Sequence, residues 1–163
     1  MDALRKHQLY ANLKKFGFLQ EKLVFLGFVI STEGFKMDSE KVRAILEWPS
    51  PRSITKVRSF HALSTFYWKF IQNFSSIVAP ITNCTKGKAF LWTNEAEEGF
   101  KFLKKKVVEA PILAFPYFDK VFEVDCDVSH VGIGLVIIQA GRPIAFFSEK
   151  LNEVRNNYST YDV

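Results

Sequence analysis

Cysteine is scarce in this sequence, and long apolar runs are absent from it. The two cysteines, Cys84 and Cys126, show neither the paired spacing of a zinc site nor the density of a disulfide framework. We therefore expect a reducing, intracellular setting. Residues 1–15 lack the apolar core of a signal peptide, and no segment approaches the roughly 20 apolar residues that a bilayer requires. These absences predict no membrane partner.

Aromatic and basic side chains, in contrast, are abundant. The 163 residues include 17 phenylalanines, and 22 lysines and arginines exceed 17 acidic residues, which gives a formal net charge of +5. A chain with 48% hydrophobic and 24% charged residues has the composition of a folded protein. We interpret most phenylalanines as core residues, since aromatic side chains are mostly buried. The basic excess permits a polyanionic partner without identifying one.

The spacing of apolar residues in the first part of the chain predicts a helix and a β-hairpin. Residues 3–16 have helical spacing, and residues 23–37 form two strand-like runs around a turn at 31–34. Gly27 interrupts the first run. A glycine inside a strand is typical of a bulge or of a close approach to the backbone.

Helices are predicted in the middle of the chain. Asp38 and Ser53 are good N-caps for two of them, and the second is predicted to continue to Ile71. Residues 93–110 predict a further helix, with acidic residues at its start, lysines toward its end, and an apolar stripe made of Ala96, Phe100, Leu103 and Val107. The stretch 111–118 contains two prolines and no helical period, which predicts a linker.

Beyond this linker the sequence changes from helical to strand-like. Residues 121–129, 132–140 and 142–151 are β-type runs joined by segments short enough for hairpins, so we expect a three-stranded antiparallel sheet. Residues 156–163 have the pattern of the first turn of a helix. The fold class predicted for the whole chain is therefore α+β.

The helix predicted from Ser53 to Ile71 has two different faces. One is an ordinary core stripe, made of Phe60, Leu63, Tyr67, Phe70 and Ile71. The opposite face is basic and partly small, made of Arg58, Ala62, Thr65 and Lys69. Such a face could contact a nucleic-acid backbone through its cations, or it could be an ordinary solvated surface. The residues alone leave both interpretations open.

The first strand beyond the linker carries three acidic residues. Alternation places Glu123, Asp125 and Asp127 on one face of this strand and apolar residues on the other. Carboxylates there could be solvated, or they could hold a divalent metal such as Mg²⁺ for two-metal phosphodiester chemistry. The spacing does not decide between the two.

Several short segments span residues 9–163 and read LYANLKK, VFLGFVIS, EGFKMDSEKVRAILEWPSP, VRSFHALSTFYWKFI, APIT, APIL, CDVSHVGIG, GRPIAFFSEKL and NNYSTYDV. In order and spacing they resemble the Pol polyprotein of gypsy-type LTR retrotransposons. The resemblance implies four regions. Residues 1–36 would end a reverse transcriptase palm, 37–110 would be a helical thumb-like or connection region, 111–118 a linker, and 119–163 the N-terminal part of an incomplete ribonuclease H-like domain.

The resemblance also implies roles for particular residues. Phe25, Leu26 and Gly27 resemble the primer grip, which positions the primer 3′ end. Arg58 and Lys69 would belong to the thumb, along the template–primer duplex, although the family's usual basic pair is here Trp68-Lys69.

The segment CDVS resembles the aspartate-alanine-serine motif of ribonuclease H. Asp127 therefore matches the first metal-binding, catalytic carboxylate of that motif, whereas Asp125 matches none. In the intact family enzyme these carboxylates hold Mg²⁺.

The same resemblance implies a limit on the activity of the chain alone. The family's paired polymerase aspartates and its other ribonuclease H carboxylates have no match in this sequence, so we expect no catalysis and no stable Mg²⁺ binding by the chain in isolation. The implied partners are an RNA–DNA hybrid or template–primer duplex and the remainder of the polyprotein. The implied setting is a cytoplasmic particle or the nucleus.

Three functions are therefore considered. In the first, the chain is part of a multifunctional polymerase and nuclease. In the second, it is a non-catalytic module that clamps a nucleic-acid duplex, and in the third it is a purely structural remnant. Salt-dependent binding to a hybrid duplex separates the second from the third, since counterion release reports phosphate contacts.

Overall fold

The computed structural model describes residues 6–8, 20–87, 89–128 and 132–151. The predicted helix over 3–16 lies largely outside these residues. The predicted helical turn at 156–163 and the connection between the first two strands of the C-terminal sheet also lie outside them.

The N-terminal part of the described chain forms a three-stranded antiparallel sheet. Strands β1 (Lys22–Phe25), β2 (Phe28–Ser31) and β3 (Gly34–Met37) follow one another in space as in sequence. The predicted hairpin is thus present as β2 and β3. Interpreting Gly27 as an interruption within one strand was wrong, because the chain reverses direction at Leu26 and Gly27, both of which have positive φ.

Four α-helices follow in the described residues. They are α1 (Ser39–Leu46), α2 (Ile54–Thr65), α3 (Phe74–Asn83) and α4 (Asn94–Val108). The predicted N-caps are confirmed: the Asp38 side chain accepts a hydrogen bond from the Glu40 amide, and that of Ser53 accepts one from Lys56. None of the described helices is long and apolar enough to cross a membrane.

Helix α2 is shorter than predicted. It ends at Thr65, and a separate 3₁₀ helix covers Trp68–Phe70. The buried Ser64 hydroxyl donates to the carbonyls of Phe60 and His61, which competes with the regular backbone pattern. The Tyr67 amide then bonds to the Ser64 carbonyl only three residues back, so the chain tightens. The prediction of one continuous helix to Ile71 was therefore wrong.

The C-terminal part of the described chain forms the predicted second sheet. Strands β4 (Glu123–Val128), β5 (Gly132–Gln139) and β6 (Arg142–Lys150) pair antiparallel in that order. Ala140 and Gly141 join β5 to β6 with φ values of 51° and 72°, as a two-residue hairpin turn requires. The predicted α+β fold class is confirmed.

One apolar core lies between the first sheet and the helices. The residues of the predicted stripe on α4, namely Ala96, Phe100, Leu103 and Val107, are all at most 2% exposed. Phe60 of α2 is fully buried, with its ring centroid 4.7 Å from that of Phe100. Phenylalanines supply much of this core, which agrees with the interpretation of their abundance.

The predicted linker is partly built into the fold. Leu113 is fully buried, and it exchanges two backbone hydrogen bonds of 2.9 Å with Phe35 of β3. The next amide, that of Ala114, donates to the carbonyl of Pro143 in β6 over 2.8 Å. Residues 113–114 therefore connect the two sheets, although a domain boundary within 111–118 remains a proposal.

A second connection joins the C-terminal sheet to α3. The amide of Ser75, in the first turn of α3, donates to the Ser148 hydroxyl over 2.9 Å, and the Ser75 hydroxyl donates to the Ser148 carbonyl over 2.7 Å. Asn73, at the N-cap position, makes no side-chain capping bond. Ser148 of β6 thus satisfies an amide at the start of a helix from another part of the chain.

Replacing Ser148 by alanine is expected to lower the free energy of unfolding by about 0.5–2 kcal/mol, the usual effect of losing a helix cap. The matched control is Ser59→Ala, because Ser59 lies exposed on α2. Urea denaturation followed by circular dichroism measures both variants. Equal stability of the two variants would contradict a capping role for Ser148.

Candidate nucleic-acid interface

The hairpin tip, formed by Phe25, Leu26 and Gly27, is apolar and exposed. Phe25 is 54% exposed and Leu26 is 70% exposed. The φ angles of Leu26 and Gly27 are 50° and 79°, a pair of values that allows a two-residue turn between twisted strands. The glycine that sequence analysis associated with close approach is therefore needed for this turn. Large apolar side chains at an exposed turn are candidates for contact with a partner.

The carbonyl of Gly27 is held by two donors. The Asp38 amide donates to it over 3.0 Å and the Tyr67 hydroxyl over 3.1 Å. A side chain added at Gly27 would also lie close to Phe66 and Lys41, whose nearest atoms are 3.5 Å and 3.8 Å from the added carbon. The hairpin tip is thus packed beside the start of α1 and the end of α2.

The basic face predicted for residues 53–71 is divided between two elements. Arg58 and Ala62 are exposed on α2, whereas Lys69 is exposed on the 3₁₀ helix. The Lys69 ammonium lies 5.8 Å from the centre of the Trp68 ring. Burial lowers the pKa of the half-buried His61, so this side chain is neutral at pH 7 and adds no positive charge. The structure therefore keeps both predicted cations at the surface, on separate elements.

Phe66 was missed by sequence analysis. It caps the C-terminal end of α2, is 48% exposed, and stacks on Phe28 with ring centroids 4.9 Å apart. Its position four residues after Ala62 and eight after Arg58 could have indicated that it shares their side of the helix. We call Arg58, Ala62 and Phe66 the α2 surface. Because Phe66 also lies beside Gly27, the α2 surface leads directly to the hairpin tip.

Asp127 lies in the second sheet, apart from the hairpin tip. It pairs with Gly134 of β5, and all six residues of β4 are exposed. The apolar residues of this strand are exposed as well, and Val124 is 58% exposed. The alternation of acidic and apolar residues in β4 therefore does not mark a buried face. Exposed carboxylates need no partner, and the solvated interpretation is sufficient for Glu123 and Asp125.

A metal site is not complete within the described part of the chain. Among residues 6–8, 20–87, 89–128 and 132–151, no three His, Cys, Asp or Glu side chains form a group that could hold a metal ion. Two-metal hydrolysis requires several carboxylates. The described residues by themselves do not fit such a site, and no metal-dependent step follows from them.

Comparison with known proteins identifies relatives of this chain. Residues 92–163 match the family described as "RNase H-like domain found in reverse transcriptase". The chain is 36% identical to the retrovirus-related Pol polyprotein of transposon opus and 37% identical to that of transposon gypsy, both from Drosophila melanogaster. Each match covers 98% of this chain, but only 18% and 17% of the two polyproteins. The chain thus spans less than a fifth of their length.

A shorter relative is an uncharacterized mitochondrial protein of Arabidopsis thaliana. It is 40% identical over 113 residues, which cover 68% of this chain and 72% of that protein.

Solved structures share the fold. A foamy viral protease-reverse transcriptase in complex with double-stranded DNA matches with a TM-score of 0.83 at 24% identity, over 92% of this chain and 27% of that one. The same viral protein in complex with an RNA/DNA hybrid matches with a TM-score of 0.82 at 24% identity, over 92% of this chain and 21% of that one. The resemblance found in the sequence is confirmed: the chain matches the reverse transcriptase and RNase H-like region of retrotransposon Pol polyproteins, and residues 92–163 belong to the RNase H-like domain family found in reverse transcriptase.

Proposed function

We propose that this chain holds a template–primer duplex or an RNA–DNA hybrid through the hairpin tip and the α2 surface. It would do so as part of a whole Pol polyprotein that carries out RNA-directed DNA synthesis and RNA hydrolysis. The observation that carries the proposal is the exposed apolar tip packed directly against the end of α2. The foamy viral proteins of the same fold were solved with double-stranded DNA and with an RNA/DNA hybrid, which supports a duplex as ligand.

The chemistry of the two surfaces suits a duplex. Arg58 on the α2 surface and Lys69 on the 3₁₀ helix that follows are exposed cations that would meet phosphates. Such contacts fix the position of a protein on nucleic acid without reading its sequence. Phe25, Leu26 and Phe66 would rest against sugars and base edges, which offer apolar surface. A role in positioning a duplex irrespective of its sequence follows from this combination.

Asp127 belongs to a different part of the proposed function. Reverse transcriptases with an RNase H-like domain use divalent metal ions. We propose Mg²⁺ as the ion and Asp127 as one of its carboxylate ligands in the whole Pol polyprotein, with further ligands from the remainder of that protein. There the ion would supply an activated water for hydrolysis of the RNA strand.

Duplex binding without catalysis is the second candidate function. It is favoured by the exposed hairpin tip beside the end of α2, a surface that requires no metal ion to contact a duplex. It uses the same hairpin tip and α2 surface, so the two candidates differ only in whether a bound hybrid is cut.

Binding of the chain to a labelled RNA–DNA hybrid at two salt concentrations, with Mg²⁺ present, tests the proposal. We expect salt-dependent binding, and the double substitution Arg58→Ala/Lys69→Ala should reduce the slope of log K against log salt by about 2, because each substitution removes one cation that would neutralise a phosphate. Electrophoresis of the same samples shows whether the RNA strand is cut.

The matched control removes two cations elsewhere. Lys101 and Lys105 lie exposed on α4 and pair with Glu97 and Glu109, so Lys101→Ala/Lys105→Ala changes the net charge equally. Its salt slope should remain that of the wild type. An equal loss in both double variants would mean nonspecific attraction, and the proposed interface would be wrong. RNA cleavage would reject the non-catalytic candidate.

A further inference from the structure

Tyr67 is a buried residue whose hydroxyl group makes a hydrogen bond to a distant part of the chain. It is 1% exposed, although it carries a hydroxyl group, and that hydroxyl donates to the carbonyl of Gly27, 40 residues earlier in the chain. A buried hydroxyl requires a partner, and here the partner is the turn that forms the hairpin tip. The bond therefore links the end of α2 to the exposed turn between β1 and β2.

The ring of Tyr67 has a defined orientation. It lies edge-on to Phe28, with centroids 5.7 Å apart, and edge-on to Phe66, with centroids 5.0 Å apart. Phe28 begins β2 directly after the turn, and Phe66 belongs to the α2 surface. Packing of the ring against these two phenylalanines directs its hydroxyl at the Gly27 carbonyl.

The hydroxyl remains a donor over the whole physiological range. Burial, with a smaller contribution from the negative charge of Asp38, raises the pKa of Tyr67 to about 12. The group is therefore protonated at every physiological pH, and the bond to Gly27 does not switch with pH.

The hairpin tip has few other supports. All four residues of β1 are exposed, so this strand has no buried face that would fix it by packing. Within the described residues, β1 is supported by its pairing with β2, and the tip by two hydrogen bonds to the Gly27 carbonyl and by its packing beside Phe66 and Lys41. One of these two bonds comes from the Asp38 backbone. The other comes from the Tyr67 side chain.

We propose that Tyr67 is a positioning residue for nucleic-acid binding, which fixes the hairpin tip relative to the α2 surface through its hydrogen bond to Gly27. This role rests on the function proposed above. Tyr67 itself is buried and does not touch the duplex. It affects binding by holding Phe25 and Leu26 in one arrangement before the duplex arrives. Binding then does not pay the conformational entropy of ordering the tip.

The substitution Tyr67→Phe tests this role, because it removes only the hydroxyl. We expect amide hydrogen exchange at residues 23–28 to become about three- to tenfold faster, as loss of one hydrogen bond implies. Exchange in α2 should stay unchanged, which would show that the fold is intact. The dissociation constant for the RNA–DNA hybrid should rise by a similar factor, about three- to tenfold. The salt slope should stay that of the wild type, since every cation that faces a phosphate is still present.

The matched control is Tyr117→Phe. Tyr117 is 64% exposed, and its hydroxyl lies outside the hairpin tip and the α2 surface. Both exchange at 23–28 and hybrid affinity should equal those of the wild type.

A second variant, Gly27→Ala, disturbs the contact between Gly27 and the Tyr67 hydroxyl by changing the glycine. A methyl group added at Gly27 would lie 2.8 Å from the Tyr67 hydroxyl, at a φ of +79°. Gly27→Ala should therefore accelerate exchange at the tip and weaken binding in a chain that keeps Tyr67. Since Tyr67→Phe removes the atom that the methyl group meets, the two substitutions together should cost less than the sum of their separate effects. If Tyr67→Phe does not fold, Gly27→Ala carries the test.

The outcomes separate this proposal from the function on which it rests. Faster exchange at the tip together with weaker binding supports the role of Tyr67. Unchanged exchange at residues 23–28, or faster exchange with unchanged affinity, overturns it even when the wild type binds the hybrid well. If the wild type itself does not bind, the proposed function fails, and that result is visible before any Tyr67 variant is compared.

Discussion

Replacing Phe60 by alanine is expected to lower the free energy of unfolding by about 3–5 kcal/mol, the range found when a buried aromatic side chain is deleted. Phe60 is fully buried, and its ring centroid lies 4.7 Å from that of Phe100 and 6.1 Å from that of Trp48. Its removal leaves a cavity between α2 and α4 that these large neighbours cannot fill without leaving their own positions. Urea denaturation monitored by tryptophan fluorescence measures the loss.

The control for this prediction is another phenylalanine. Phe118 is 84% exposed, so Phe118→Ala should change the free energy of unfolding by no more than about 0.5 kcal/mol. If the two alanine variants were equally stable, Phe60 would not be part of the principal core. The comparison also tests whether the high phenylalanine content serves packing, since the same chemical change is made at a buried and at an exposed position.

Replacing Gly34 by alanine is expected to lower the free energy of unfolding by about 3 kcal/mol or more, because backbone strain and a steric clash act together. Gly34 has a φ of +134°, and an added methyl carbon would lie 2.1 Å from the backbone carbonyl oxygen of Leu113. That carbonyl is hydrogen-bonded to the Phe35 amide, so it can move away only by breaking the connection between β3 and residues 113–114. Denaturation in urea gives the size of the effect.

A second glycine supplies the comparison for Gly34. Gly141 also has a positive φ, +72°, but a methyl group added there meets nothing within 4 Å. Gly141→Ala should therefore cost only the conformational penalty, about 1–2 kcal/mol. A Gly34 variant no less stable than the Gly141 variant would show that the contact with Leu113 does not restrict this position.

The contacts of residues 113–114 connect the two sheets of the molecule. Residues 113–114 bond to β3 on one side and to Pro143 of β6 on the other. The bonds between Ser148 and Ser75 add a second connection, from β6 to α3. The part of the chain that carries Asp127 is thus attached to the part that carries the hairpin tip. A duplex held at the tip would lie in a defined relation to the second sheet.

Much of the architecture followed from local chemistry. Asp38 and Ser53 cap helices as predicted, because a short polar side chain before an apolar period satisfies the first free amides. The apolar stripe of α4 and the three-stranded order of β4, β5 and β6 followed from periodicity and from turns too short for any other connection. The family could be recognised because several short segments occur in one order.

The candidate site was predictable only in part. Exposure of Arg58 and Lys69 agreed with their spacing, and the roles of Asp127, Phe25, Leu26 and Gly27 stay predictions. The end of α2 at Thr65 and the turn at Leu26 and Gly27 are set by local bonds and backbone angles that an apolar period does not reveal. The participation of Phe66 depends on contacts between residues about 40 positions apart, at the place where the end of α2 meets Gly27. Periodicity carries no information about such contacts, since it describes which face of an element is apolar and not which element will cover it. The bond from Tyr67 to Gly27 exists because folding brings the end of α2 under the first hairpin, and that placement is a property of the packed molecule.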